Sequence, residues 1–132
     1  MKEIAVRLKK GDDLKGSLAR ICKEANADTA VVLSGVGSLY EARIRLANAD
    51  SFYEKKGNYE IVSLTGTISK GRVHVHISLS DEKGDVIGGH LCEGCLINTT
   101  CELVLAVLEE HVSSRRFDED TGYDEIVFEK VR

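Results

Sequence analysis

The sequence predicts a single small domain of the mixed α/β (α+β) class. The chain has 132 residues, of which 42% are hydrophobic and 30% are charged, and this is the length and composition of one globular domain. Strand-like patterns cover most of the chain, whereas one segment near the N-terminus has apolar residues at helical spacing. Because no internal repeat or linker divides the chain, residues 1–132 are treated as one domain.

In the first half of the chain, the patterns alternate between strand and helix. Residues 4–8 should form a strand, and Asp12 or Asp13 can cap a helix that begins at Leu14 and fades near Asn26. Residues 29–34 and 40–46 are expected to form two strands, separated by a Gly-Val-Gly segment at 35–37. That segment is weak evidence for a phosphate loop and is better explained as a bulge or bend. Residues 47–58 are mostly polar and are expected to form a loop.

From residue 59 onward, strand patterns dominate. Turns are expected at residues 69–71 and 81–84, and a strand resumes at residues 86–87. Residues 97–108 are apolar at nearly every position, so periodicity alone leaves both a helix and a long strand open. Residues 125–129 should form a final edge strand. The basic pair Arg115-Arg116 is interpreted as solvated surface.

Two histidines on one predicted strand form the most informative motif. Alternate side chains of a strand share a face, so His74 and His76 point one way while Val73 and Val75 point into the core. A His-x-His pair on a strand is also commonly just a solvent-facing polar pair, so the motif needs a third ligand to be convincing.

The length of the following turn decides whether His90 joins the pair. A two-residue loop would place His90 opposite Val75, on the wrong face. A three-residue loop that ends in Gly84 would place His90 directly opposite His76, and this loop type prefers glycine at its last position. Directly opposed Cβ atoms lie about 5 Å apart, so the three imidazoles would converge.

Three histidine ligands with an open fourth position are typical of catalytic zinc sites, whereas structural sites usually close all four positions. Zinc in such a site lowers the pKa of a bound water to about 7 and polarises carbonyl or phosphoryl oxygens. The sequence therefore predicts a metal site formed by His74, His76 and His90, with zinc as the expected ion. Imidazole also suits copper, nickel and iron, so another divalent transition metal remains an alternative.

The four cysteines are expected to be thiols or metal ligands rather than disulfides. Cys92 and Cys95 form a lone Cys-x-x-Cys, which we interpret as buried residues or bystanders near the metal rather than a redox pair. Cys22 and Cys101 lie in apolar patterns and are expected in the core. His111 is expected at the surface.

Charge and hydropathy argue against two classes of partner. The formal net charge is −4, which counts against nucleic acid because phosphate contacts usually require a basic excess. No stretch approaches the roughly 20 apolar residues that span a bilayer, and the N-terminus lacks a signal-peptide pattern. We therefore expect a cytoplasmic protein without a membrane partner.

Several segments resemble the PPC domain family, which is named for its presence in plants and prokaryotes and is often labelled DNA-binding. The matching segments follow the family order over nearly the whole chain and are similar to the stand-alone archaeal and bacterial members: residues 34–38, 59–66, 74–81, 88–91, 116–118 and 121–122. The resemblance implies a mainly antiparallel β-sheet with a few flanking helices and a homotrimer, and it favours a strand at residues 99–108.

The PPC fold is similar to that of acetolactate decarboxylases, which hold zinc with a comparable His-x-His and a later histidine. This likeness supports His74, His76 and His90 as ligands but transfers no activity. Glu60 lies in a family motif and is either a general base or a surface strand residue. Plant members carry a proline-containing AT-hook ahead of the domain, and this chain contains no proline, which weakens the case for DNA binding.

Three functional hypotheses follow. The first is a trimeric metal-binding protein of undetermined activity, including a metal-dependent enzyme acting on an unidentified small molecule. The second is a DNA-associated regulatory or oligomerisation module without catalysis. The third is a structural metal site that stabilises the hairpin. An open metal position near a carboxylate would favour the first hypothesis. A basic face across the trimer would favour the second. A fourth protein ligand such as Cys92 would favour the third.

Overall fold

The computed structural model describes residues 1–131 and is dominated by antiparallel strands with a single helix among them. The elements in chain order are β1 (Lys2–Lys9), α1 (Leu14–Glu24), β2 (Thr29–Arg45), β3 (Phe52–Ser69), β4 (Arg72–Ser80), β5 (Val86–Leu91), β6 (Leu96–Val107), β7 (His111–Asp118) and β8 (Tyr123–Lys130). The mainly antiparallel α+β class is thus confirmed. Residues 97–108, which periodicity left open, lie almost entirely in strand β6.

Six strands form one sheet in the order β1-β6-β2-β3-β4-β5. Strand β2 is 17 residues long, so different parts of it pair with different neighbours. Its last residues also pair with β5, through Ile44 with Leu91 and Arg45 with His90. Strands β2 to β5 therefore close into a ring at this end of the sheet, and β5 is held by hydrogen-bonded strands on both sides.

Helix α1 begins where the sequence predicts and covers part of the sheet. Of the two candidate caps, Asp13 is the N-cap, and its side chain accepts a hydrogen bond of 2.8 Å from the backbone N–H of Gly16. Its other carboxylate oxygen accepts one of 2.7 Å from the N–H of Gly94. The cap thereby joins the helix to the loop before β6. The buried helix face, as expected, packs into the core: Leu14, Leu18, Ile21 and Cys22.

The prediction of two strands separated at residues 35–37 was wrong, because β2 runs through both glycines. Register shifts next to this segment mark β-bulges, in line with the preferred interpretation. A Cβ on Gly37 would lie 2.2 Å from the carbonyl oxygen of Thr100, so glycine here permits close approach of β6. The segment is part of a paired strand and does not form a phosphate loop.

The predicted loop at residues 47–58 was also too long. Residues from Phe52 onward belong to β3 and pair with the end of β2, where Lys56 Nζ lies 3.6 Å from Glu41 Oε1. Polar composition misled the prediction because this part of β3 pairs along its backbone while most of its side chains face solvent.

The chain ends in a separate two-stranded sheet formed by β7 and β8. The final strand was expected from the sequence, but its partner β7 was not. Ser113 of β7 is buried against the main sheet, where its hydroxyl oxygen lies 2.7 Å from that of Thr29 and also contacts the hydroxyl of Ser69. The backbone N–H of Ser113 donates to Asp28 at 3.0 Å. The single helix found within residues 1–131, α1, has 11 residues, which is too short to span a membrane.

Candidate metal centre

Strand alternation places the two histidines of β4 on its outer face. Val73, Val75, Ile77 and Leu79 are buried, whereas His74 and His76 are exposed. The apolar residues fix this orientation, because a shift by one residue would bury both imidazoles and expose the whole apolar set. The facing positions on β3 are Thr67 and Thr65, which line a shallow depression of about 220 Å³ beside the two histidines.

The β4–β5 turn brings His90 into the same group. Residues 82–84 form the three-residue loop, and Gly84 adopts φ 84°, the left-handed region that this turn requires at its last position. Asp81 stabilises the loop, since its carboxylate accepts backbone hydrogen bonds from Lys83 and Asp85 at 2.9 and 3.0 Å. His76 consequently pairs directly with His90.

The three imidazoles form a compact triangle. Ring centroids are 5.4 Å apart for His74–His76, 5.6 Å for His74–His90 and 5.8 Å for His76–His90. One nitrogen from each ring can be chosen so that all three lie within 4.8 Å of one another. Tetrahedral zinc, with Zn–N distances of about 2.0–2.1 Å, needs nitrogens roughly 3.4 Å apart. Small rotations of the three imidazoles would shorten the nitrogen–nitrogen distances from at most 4.8 Å to the roughly 3.4 Å that zinc requires. The donor set therefore fits a zinc ion.

The local environment favours the neutral imidazoles that metal binding requires. Burial and the charges of Arg45 and neighbouring groups lower the pKa of His90 to about 4. Partial desolvation of its ring and the nearby groups His76, Arg115 and Arg72 also lower the pKa of His74. Both rings are therefore deprotonated at neutral pH, with a nitrogen lone pair free to bind a metal.

Two side chains of the β7–β8 hairpin, Arg115 and Glu125, also act on the site. The sequence did not predict either of them there. Arg115 is half-buried, and its Nε atom is buried without a hydrogen-bond partner among the described residues. Glu125 of β8 is the acidic residue whose charge acts on His74. The interpretation of Arg115 as solvated surface was wrong, whereas Arg116 is exposed as expected. No local pattern marks Arg115, because its position depends on how the hairpin docks.

The other residues singled out from the sequence lie outside the histidine triangle. Cys92 and Cys95 are buried, and Cys95 hydrogen-bonds with the backbone of Arg43 through Sγ. Burial raises the pKa of the Cys95 thiol to about 11, so this thiol is protonated at neutral pH. His111 begins β7 and is half-buried. Among residues 1–131, the triangle gains no cysteine, aspartate or glutamate as a fourth candidate ligand.

Glu60 does not lie beside the triangle. It pairs with Ser80, four residues along β4 from His76, which corresponds to about 13 Å along a strand. It lines a different depression together with Ser38 and Asn98. A larger surface depression, about 670 Å³, lies between the end of α1 and the β3–β4 turn. The candidate site is the depression of about 220 Å³ beside His74 and His76, because that is where the three histidines converge.

A family model matches most of the chain. The sequence model of the Plants and Prokaryotes Conserved (PCC) domain matches residues 1–109. The chain belongs to this family. It is the same family, also abbreviated PPC, that the motifs around His74 and His90 resemble.

Solved structures share the PCC fold over nearly the whole chain. A hypothetical protein from Salmonella enterica superimposes with a TM-score of 0.94 at 30% sequence identity, covering 98% of this chain and 94% of that one. A metal-containing protein from Archaeoglobus fulgidus superimposes with a TM-score of 0.77 at 27% identity, covering 96% of this chain and 94% of that one.

The PCC chain is also similar to part of a longer curated protein. It is 43% identical over 126 residues to the bifunctional protein GlmU of Synechococcus sp. (strain JA-3-3Ab). The match covers 96% of this chain but 20% of that protein. The chain thus spans about a fifth of the length of the curated relatives it matches.

Proposed function

We propose that this PCC protein is a zinc-dependent enzyme that acts on a small molecule, with His74, His76 and His90 as the metal ligands. The convergence of three imidazoles from β4 and β5, with no fourth candidate ligand among residues 1–131, carries the proposal. Three histidines leave one position of a tetrahedral ion open to an exogenous ligand. Zinc bound there would act as a Lewis acid that polarises a carbonyl or phosphoryl oxygen.

Two observations support a catalytic rather than a structural role. His74 and His76 are exposed, so a small molecule can reach the triangle. Glu125 lies close enough to influence His74 electrostatically, and a carboxylate near an open metal position can move a proton during a reaction. The metal content of the related Archaeoglobus protein is a further indication that this fold holds a metal.

Metal analysis of untagged protein tests the proposal. We expect about one zinc per chain by plasma emission, and its loss in a His76→Ala, His90→Ala variant. His111→Ala is the matched control, because His111 lies outside the triangle and its removal should leave the zinc content unchanged. Absence of metal from the wild type, even after zinc is added back, would refute the proposed centre. A zinc-loaded wild type should then be screened against small carbonyl and ester substrates.

We also propose that the protein assembles as a homotrimer. The β7–β8 hairpin exposes several apolar side chains for which the single chain offers no cover: Val112, Phe117, Tyr123 and Phe128. The register of the hairpin places Phe117 and Phe128 on one face and Val112 and Tyr123 on the other, and large exposed apolar surface commonly marks protein contacts. Light scattering should give three times the 14.5 kDa chain mass, and Phe117→Ser with Phe128→Ser should lower it. An unchanged mass in this variant would place the contact elsewhere.

The alternative proposal is a DNA-associated assembly module without catalysis. Arg72 and Arg115 near the histidines favour it, since arginine pairs well with phosphate, whereas the net charge of −4 opposes it. Retention of duplex DNA at physiological salt, weakened by Arg72→Gln, would support this alternative. Failure to retain DNA at low salt would exclude it.

A further inference from the structure

Arg115 of β7 is a half-buried residue whose charge acts on His74 of the histidine triangle. Its Nε is buried, and no hydrogen-bond acceptor for it exists among residues 1–131. A buried donor without a partner is costly, and more so when the group is charged. Neither Arg115 nor Arg72 forms a salt bridge among the described residues. The buried Nε donor of Arg115 therefore has no acceptor among these residues, and the charges of Glu125 and Asp124 act on the guanidinium without forming a salt bridge to it.

The position of Arg115 is set by the hairpin and not by its own flexibility. Ser113 lies two residues earlier on the same strand, so its side chain shares a face with that of Arg115. Ser113 is buried and is held by Thr29, Ser69 and Asp28 through hydrogen bonds. This anchor fixes the face of β7 that bears Arg115 towards the start of β4, where Ser69 pairs with Arg72.

The charges around the triangle are mostly positive. Arg72 and Arg115 act on His74, while Arg45 and Lys15 act on His90. Arg45 is the direct neighbour of His90 across the β2–β5 pairing. Glu125 is the only acidic group among residues 1–131 that acts on either of these two histidines. This excess of cations acts on the histidines in a chain whose net charge is −4, although none of the four is among the residues that line the depression beside His74 and His76.

We propose that the small molecule bound at the metal centre carries an oxyanion group, carboxylate or phosphate, and that Arg115 with Arg72 binds it. This inference rests on the proposed metal centre. A guanidinium binds either oxyanion through two parallel hydrogen bonds, and an acceptor at this point would satisfy the orphaned Nε donor. Arg115 and Arg72 would then fix the orientation of the ligand, while a metal held by the histidines contacts another of its oxygens.

The test uses the full chain loaded with cobalt(II) in place of zinc. The visible spectrum of cobalt(II) reports changes in its coordination. Acetate and inorganic phosphate are titrated separately as probes, so that the two oxyanion classes are distinguished. The wild type should respond to at least one probe. Arg115→Gln should weaken that response about tenfold or more, since it removes a charged hydrogen-bonding partner. Arg72→Gln, at an exposed position, should weaken the response in the same direction and should leave the fold intact.

Arg116→Gln is the matched control. Arg116 is the next residue of β7, is exposed, and is not among the groups whose charges act on His74, so the response should equal that of the wild type. If Arg115→Gln and Arg72→Gln both bind the probes as tightly as Arg116→Gln, or if the wild type ignores both anions, the inference is overturned while the metal centre stands. If the wild type takes up no metal, the proposed centre fails and the inference with it.

Discussion

His76 on β4 lies directly opposite His90 on β5, and the same register pairs Ser78 with Gly88. A three-residue loop sets this register, so the third histidine depends on the length of a turn remote from the triangle. A Cβ on Gly88 would lie 2.8 Å from the carbonyl oxygen of Ile77. The same pairing that aligns the histidines thus requires glycine beside them.

Deleting Lys83 should destroy the metal site. A three-residue loop can form again only by taking in Asp85. Asp81 would then pair with Val86, and His90 would lie opposite Ile77, turned away from the face of His76. We expect the zinc content to fall as far as in the His76→Ala, His90→Ala variant. Full zinc content in the deletion would contradict this prediction and show that a two-residue loop keeps His76 paired with His90.

Replacing Gly84 by alanine separates backbone conformation from packing. Gly84 has φ 84°, and nothing lies within 4 Å of the position of an added Cβ. The expected loss of unfolding free energy is about 1 kcal/mol, because alanine in a left-handed conformation is strained. Chemical denaturation measures this loss, and zinc content should be retained. A loss above about 3 kcal/mol would indicate a role for this glycine beyond the turn.

Replacing Gly66 by alanine should disturb β4 between its two histidines. A Cβ at this position would lie 2.1 Å from the carbonyl oxygen of His74 and 2.6 Å from the Cα of Val75. The two strands would have to separate, at a cost of about 1–3 kcal/mol. We expect both a lower unfolding free energy and weaker zinc binding. Gly84→Ala is the control, and equal zinc affinity in both variants would contradict this prediction.

The β7–β8 hairpin should loosen in acid through Asp28. Burial alone would raise the pKa of Asp28, but hydrogen bonds from Thr29 and Ser113 and the charge of Lys70 together lower it below its usual 3.8. A lowered pKa means that the carboxylate stabilises the fold fully above pH 3.8 and progressively less as pH falls through the lower folded value.

Hydrogen exchange of the β7 amides, corrected for the intrinsic rate, measures this effect. Protection should be constant from neutral pH to about pH 4 and fall below it, whereas Asp28→Asn should show weak protection already at neutral pH. Asp120→Asn, in the exposed turn of the hairpin, should behave as the wild type. Protection of Asp28→Asn equal to the wild type at neutral pH would remove Asp28 from the anchor.

The Cys-x-x-Cys should be dispensable for metal binding. Cys92 and Cys95 are buried, and the protonated Cys95 thiol is bonded to the backbone of Arg43. A Cys92→Ala, Cys95→Ala variant should retain its zinc and lose about 1 kcal/mol of unfolding free energy per site through lost packing. Loss of zinc in this variant would instead identify a cysteine ligand.

Polar composition proved a poor guide to strand ends. Residues 52–58 look like a loop in the sequence, yet Lys56 pairs with Glu41 because β2 offers a long edge for pairing. Likewise, Gly35 and Gly37 interrupt a strand pattern but lie inside β2, where neighbouring strands approach closely. In both places pairing with a neighbouring strand keeps the segment in strand conformation. The local sequence pattern does not show which strand that neighbour is.

The sequence by itself determined the histidine triangle, because strand alternation and turn chemistry are local. The apolar residues of β4 orient His74 and His76, and Gly84 ends the loop that aligns His90. Only the tertiary structure decided the position of Arg115. Its strand is held by Ser113 against Thr29 and Ser69, which are 84 and 44 residues away in sequence. Such contacts form only when the hairpin docks on the completed sheet, so the local periodicity of the sequence does not predict them.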